Sequence, residues 1–247
     1  MNIVPNEYSD GKYIITGIHD RMNFIPRPTI ANLNKLIIVV APKPQPDLYL
    51  LDKLYIYCVI NNIEPVLVIN KADIADNEMI ADLAKQYYFI KTFVVSAKEN
   101  YNIDMLSKYI NGKLCALCGQ SAVGKSSIIN ALMPHLDLAT QGLSQKIDRG
   151  KHTTRVNEIF MSDHLMIADT PGFTSLELEL DYRELSDYYP EFQVEKNCKY
   201  LDCSHVKEGK DCAIFALVEL GEINKDRYDR YVELYNKLKE KWEKMYD

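Results

Sequence analysis

The stretch GQSAVGKSS, residues 119–127 of a 247-residue chain, has the spacing GxxxxGKS, with an apolar strand-like run before it and a helix-like run after it. In that context the glycines let the backbone wrap until several N–H groups point inward, and the N-terminus of the following helix adds positive potential. Gly119, Gln120, Ser121, Ala122, Val123, Gly124, Lys125, Ser126 and Ser127 therefore read as a phosphate cradle. Lys125 is placed to reach the β and γ phosphates of a nucleotide, and Ser126 to ligate magnesium. Downstream, DTPG (169–172) follows another apolar run. There Asp169 can reach the metal through water, and the Gly172 N–H can touch the γ-phosphate. GKHTT (150–154) lies between the two, and Thr154 is the candidate to close onto metal and γ-phosphate.

The base must be read elsewhere. NKAD (70–73) ends the run VLVIN, and SAK (96–98) ends the run TFVVS. Asp73 can accept two hydrogen bonds from the ring N–H and exocyclic amine of guanine. Adenine lacks that pair of donors, and an unpaired buried carboxylate would reject it strongly. The loop of Ser96, Ala97 and Lys98 offers backbone N–H to the guanine carbonyl oxygen, and Asn70 and Lys71 complete the set. Either string alone is weak. Both at strand ends beside a phosphate loop are specific in combination, and they point to GTP or GDP.

Such loops need a sheet to hold them. Short β-branched runs at 36–40, 66–70, 92–96, 114–119 and 165–169 alternate with helical spacing over 47–62, 77–87, 102–111 and 124–133. That pattern predicts an α/β unit with a mostly parallel sheet covered on both faces. Residues 156–169 read as a hairpin joined to it. The order along the chain is base reader, base reader, phosphate loop, switch, sensor, a circular permutation of the usual phosphate-loop-first arrangement. A parallel sheet tolerates this when its termini lie close together. As a consequence, Asp169–Gly172 leads straight into the C-terminal part of the chain. After Gly172 the strand pattern stops, and a boundary is expected near residue 177. Over 224–246, Tyr228, Tyr231, Tyr235, Leu238, Trp242 and Met245 form one apolar helical stripe, expected to pack on its own domain. The first 30 residues carry only a β segment, KYIITGI at 12–18 being its clearest part.

Composition excludes several classes. The chain is 47% hydrophobic and 26% charged, values of an ordinary globular protein. No apolar run approaches the roughly 20 residues that span a bilayer, so no membrane role and a cytoplasmic location are expected. A net charge of −6 argues against a wholly basic nucleic-acid binder, although a small basic surface can sit inside an acidic total. Of six cysteines, Cys115 and Cys118 form a C-x-x-C that falls on a strand. Residues three apart there point to opposite faces, so the pair cannot hold one ion and reads as core, as does Cys58. The other three cluster with a histidine, which favours metal ligation over disulfides.

Taken together, NKAD, SAK, GQSAVGKSS, DRGKHTT, DTPGF and CKYLDCSHVKEGKDC (198–212) resemble the RsgA (YjeQ/YloQ) family of circularly permuted GTPases, over roughly residues 24 to 235. The resemblance implies a circularly permuted P-loop GTPase domain (31–176), a small helical zinc-binding domain (177–247) and, over 1–30, an incomplete OB barrel. Five strands with their turns do not fit before residue 30, so the barrel is expected to be truncated or abbreviated. Cys198, Cys203, His205 and Cys212 form a Cys₃His set suited to one structural Zn²⁺. The implied activity is GTP hydrolysis during maturation of the small ribosomal subunit, by a monomer that binds the subunit and its rRNA in the GTP state. Alternatives are a GTP-gated RNA-binding adaptor, or a GTPase serving another RNA complex. Phe173 stands where many GTPases carry a water-orienting glutamine, so unaided turnover is expected to be slow. His152 is the candidate to orient the water, the other reading being that it orders its loop or contacts RNA.

Overall fold

The computed structural model describes residues 2–5, 13–26, 28–134, 158–162, 164–169, 173, 176–193, 198–206 and 211–246. Its centre is a six-stranded sheet built from β5 (Lys35–Val40), β6 (Glu64–Ile69), β7 (Lys91–Val94), β8 (Leu114–Cys118), β9 (Glu158–Met161) and β10 (Met166–Asp169). The spatial order is β7-β6-β5-β8-β10-β9, parallel throughout except for the antiparallel edge strand β9. Helices α1 (Leu48–Ile60), α2 (Asn77–Gln86), α3 (Ile103–Ile110) and α4 (Lys125–Leu132) alternate with the strands as the sequence periodicity predicts. All six residues of β5 are buried, as a central parallel strand covered on both faces requires.

The strand period of two sorts the side chains into two cores. Leu36, Ile38, Leu67, Ile69, Ala116 and Cys118 face α1, whereas Ile37, Val66, Val68, Cys115 and Leu117 face α3 and α4. Cys115 and Cys118 thus lie on opposite faces, and Cys58 is buried too. The chain walks outward from β5 to β7, returns to β8 on the other side of β5, and then continues toward β9. Strand order therefore reverses between β5 and β8. The crevice at the carboxyl ends of those two strands is where an open α/β sheet binds ligands.

Residues before β5 form two hairpins, β1 (Asn2–Pro5) with β2 (Tyr13–Gly17) and β3 (Phe24–Pro26) with β4 (Thr29–Ala31). The second sends Ile25 and Ile30 into the α1-side core. Beyond the sheet come two 3₁₀ turns (Tyr182–Tyr188 and Pro190–Phe192), α5 (Ala213–Glu219) and α6 (Lys225–Tyr246). The α6 stripe is buried at Tyr228, Tyr231, Tyr235 and Leu238, and Trp242 packs edge-on against Tyr182. Met245, expected to close that stripe, is 68% exposed, because the helix runs on past the body it packs against. The stripe's ring contacts lie within its own unit, on Tyr182, Tyr189, Phe192 and Phe215. One continuous core runs from α1 and the sheet through Leu185, Tyr189 and Phe192 to α6.

Candidate functional site

The cradle between β8 and α4 is shaped by three residues with positive φ: Gly119 (130°), Ala122 (64°) and Gly124 (97°). A Cβ at Gly119 would lie 2.2 Å from the Val39 carbonyl oxygen of β5, and one at Gly124 would lie 2.4 Å from Asn70 Nδ2. Both glycines are there because strand and clasp approach the loop too closely for a side chain. Ala122 holds a left-handed conformation without that excuse, a local strain of the kind found at ligand-binding turns. Lys125 Nζ donates to the Gly119 and Gln120 carbonyls at 2.9 and 2.6 Å, which ties the ammonium to the start of the loop. Ser126 and Ser127 occupy the first turn of α4, half-buried.

The base-reading motifs are fastened to this loop. Asn70, 2% exposed, donates from Nδ2 to the Val123 carbonyl at 2.9 Å, and its Oδ1 accepts from the Ala97 N–H at 3.1 Å. One amide thus joins the phosphate loop, NKAD and SAK, which are separated by 53 and 27 residues in the chain. Lys71, itself at φ 61°, donates to the Ala122 and Lys43 carbonyls at 2.8 and 2.6 Å. Asn70 and Lys71, expected to contact nucleotide, act here as clasps that hold the loops together. Of the SAK loop, expected to offer a backbone N–H to the guanine carbonyl, the Ala97 N–H is engaged by Asn70.

Asp73, the expected base reader, is fastened differently. Its Oδ1 accepts from the Ser96 hydroxyl at 2.6 Å, and Lys98 Nζ stands 3.9 Å from Oδ2. The Ser96 hydrogen bond, aided by the charges of Lys98 and Lys71, holds this carboxyl below the usual aspartate range. It is therefore ionised and acceptor-only at neutral pH.

Asp169 ends β10, paired with Glu158 of β9. Its side chain lies outside the described residues, as do Gly172 and the whole of GKHTT with His152 and Thr154. Phe173, next after Gly172, is 2% exposed and meets Tyr57 of α1 edge-on, with ring centroids 6.3 Å apart. The sensor is thus followed at once by an anchor in the shared core.

The second cluster is Cys198, Cys203, His205 and Cys212, whose ligand atoms all lie within 4.8 Å of one another. His205 Nδ1 is 3.6 Å from the Sγ atoms of both Cys198 and Cys212. A tetrahedral ion with bonds of about 2.3 Å to sulfur and 2.0–2.1 Å to nitrogen gives an S···N edge of about 3.6 Å, so the set fits a metal. The Ala213 and Phe215 N–H groups point at two of the sulfurs. Tyr228 Oη donates to the His205 carbonyl (2.8 Å) and Tyr231 Oη to that of Ser204 (2.5 Å), so α6 orients the ligand loop.

Sequence reasoning missed the junction between these two sites. Asp52, in the middle of α1 and 1% exposed, accepts from Tyr87 Oη (2.6 Å), from Arg230 Nε (2.6 Å) and from the Arg227 guanidinium. Arg227 also binds Glu191, and its guanidinium carbon lies 4.8–4.9 Å from the ring centroids of Tyr87, Phe89 and Tyr189. The two carboxylates beside Arg227 raise its pKa despite burial, so the cation persists at any working pH. The one signal in the sequence was a lone aspartate inside the apolar run LYLLDKLYIYCVI.

Comparison with known proteins agrees with this geometry. The profile described as RsgA GTPase matches residues 18–179. The chain is 38% identical over 238 residues to a small ribosomal subunit biogenesis GTPase RsgA of Thermotoga neapolitana, covering 92% of this chain and 79% of that one. It is 39% identical over 237 residues to the protein of the same name from Caldanaerobacter subterraneus, with coverage of 94% and 80%. Among solved structures, YjeQ of Thermotoga maritima superposes with a TM-score of 0.80 at 33% identity, covering 96% of this chain and 81% of that one. YloQ, described as a circularly permuted GTPase, gives 0.76 at 28% identity, with coverage of 97% and 79%.

Proposed function

Because this chain belongs to the RsgA GTPase family, we propose that its GTP hydrolysis serves late maturation of the small ribosomal subunit, which it binds through rRNA in the GTP state and leaves after cleavage. The observation that carries the reading is the Asn70 clasp, which ties the phosphate loop to the SAK loop, whose Ser96 in turn holds the ionised Asp73, so that these parts can serve one guanine nucleotide. Lys125 takes the β and γ phosphates once the nucleotide supplies better acceptors than its own loop carbonyls. Ser126, with Thr154 and Asp169, would hold a magnesium ion, which would offset the charge that develops on the phosphates. His152 orients the attacking water, since Phe173 is committed to the core.

Cys198, Cys203, His205 and Cys212 would hold one Zn²⁺, and four protein ligands would give it a closed, structural role. The domains run 1–30, 31–176 and 177–247, and the protein works as a monomer in the cytoplasm. No helix among the described residues is long and apolar enough to cross a membrane. The test is GTP turnover with and without purified small subunits, together with nucleotide-dependent co-sedimentation across a salt series. Slow turnover alone and strong stimulation by small subunits is the expected result. Binding without nucleotide dependence would remove the switch, and stimulation by a different RNA complex would redirect it.

A further inference from the structure

Helix α1 touches both of the sites that a nucleotide-driven change must connect. At its N-terminus the Asp47 N–H donates to Gln120 Oε1 of the phosphate loop at 2.9 Å, while Asp47 Oδ1 caps the helix through the Leu50 N–H. Five residues on, about 7.5 Å of helical rise, Asp52 is bound by Arg227 and Arg230 of α6. A hydrogen-bonded helix does not stretch over so short a span, so displacement of one end is delivered to the other.

The two ends are held very differently. At Asp52 the clamp is buried, charged and multiple, and Arg227 is enclosed by three aromatic rings and Glu191. Arg230 adds a hydrogen bond to Gln86 of α2 at 3.1 Å. At the phosphate loop the polar link is Gln120, beside a cavity of about 10 Å³ lined by Gly119, Gln120, Asp47, Leu50, Leu51 and Leu54. That is room for about one water between the loop and the first turns of α1. A multiple, buried clamp at Asp52 and a single hydrogen bond to Gln120 at Asp47 give the helix one firm end and one end that the loop can move.

We propose that α1 is a lever through which the phosphate loop and the metal-bearing C-terminal module report on each other, with Gln120–Asp47 as its input and Asp52–Arg227/Arg230 as its output. Phosphates seated in the cradle reset Gln120, Gln120 moves the start of α1, and Asp52 carries α6 along. Because α6 holds the His205 loop through Tyr228 and Tyr231, the motion arrives at the metal site. This route needs no γ-phosphate.

The inference rests on the phosphate loop holding a guanine nucleotide, and GDP is the probe because it engages the loop without a γ-phosphate. The experiment is a double-mutant cycle on GDP affinity with Gln120→Ala and Arg230→Gln, in the zinc-loaded full chain. The two side chains share no contact, so independent sites would add to within about twofold. The lever predicts a coupling of about fivefold or more, with Arg230→Gln losing most of its effect once Gln120 is gone. Additivity within twofold would overturn it. Should Arg230→Gln not fold, Arg230→Lys, which keeps the charge and loses the fork, takes its place. Hydrogen exchange supplies a second readout. Saturating GDP should change amide protection over residues 225–234 in the wild type and not in Gln120→Ala, and an unchanged wild-type α6 would also overturn the proposal. A wild-type chain that binds no GDP would end the parent reading together with this one, whereas GDP binding with strict additivity ends the lever alone.

Discussion

Replacing Arg227 by methionine isolates the energetics of the junction between α1 and α6. The methionine fills part of the same space but removes the guanidinium, both from among the rings of Tyr87, Phe89 and Tyr189 and from between Asp52 and Glu191. Arg230 and Tyr87 still satisfy Asp52, so the damage falls mainly on Glu191, whose side chain is 11% exposed. Its Oε2 already finds no partner among the described residues. Breaking a buried pair by removing one partner costs about 3–5 kcal/mol, mostly the burden of the charge left behind. For a chain of this size that is a fall in melting temperature of about 6–20 °C. The single tryptophan, Trp242 on α6, stacks edge-on with Tyr182 at 5.8 Å, so its fluorescence follows undocking of that helix in a urea titration. Circular dichroism reports the sheet in the same samples. Arg227→Met with Glu191→Leu removes both charges and should recover at least about half of the loss, because an apolar replacement of a whole buried pair is often neutral. A single variant within about 1 kcal/mol of wild type would refute the reasoning, since it would mean that Glu191 is solvated in the folded protein.

Gly119→Ala should abolish folding or cost more than about 4 kcal/mol, because its Cβ meets a carbonyl of the central strand at 2.2 Å; a thermal melt within a few degrees of wild type would contradict the close approach. Asp73→Asn should lower GDP affinity by about a hundredfold or more and narrow the margin over ADP, as measured by calorimetry. The Asp73 carboxyl, lowered chiefly by the Ser96 hydroxyl, keeps its charge as pH falls through the ordinary aspartate value of about 3.9 and loses it only further down. In Ser96→Ala the carboxyl should titrate nearer that value by carboxyl-detected NMR, and an unchanged titration would reassign the cause. Chelating the ion from the Cys₃His set should unfold the C-terminal module and weaken the docking of α6, seen as a shift in Trp242 emission that added zinc reverses.

The elements of the α/β unit were legible because each is a local pattern. The apolar runs of β5 to β8 and the helical spacing of α1 to α4 lie within single short windows. The phosphate cradle was legible for the same reason, as its geometry comes from nine consecutive residues. The base readers were harder, since NKAD and SAK carry weight only through their positions at strand ends. Their mutual fastening by Asn70 was invisible, because the same side chain would serve equally well as a ligand group. The metal set could be read from spacing, although the part played by Tyr228 and Tyr231 in aiming it could not.

What the amino-acid sequence determined by itself is the set of chemical parts and the order in which the chain delivers them: cradle, base readers, sensor, metal ligands, and a permuted route that puts the sensor next to the C-terminal module. Tertiary structure decided how those parts act on one another. Asp52 and Arg227 are 175 residues apart, and no periodicity links them. Their pairing exists because docking α6 beside α1 takes two charged residues out of water at the same place, where Arg227 meets Asp52 and Glu191 while Arg230 and Tyr87 complete the partners of Asp52. The continuous core from α1 to α6 follows from the same packing, which is a property of faces brought together rather than of any segment read alone.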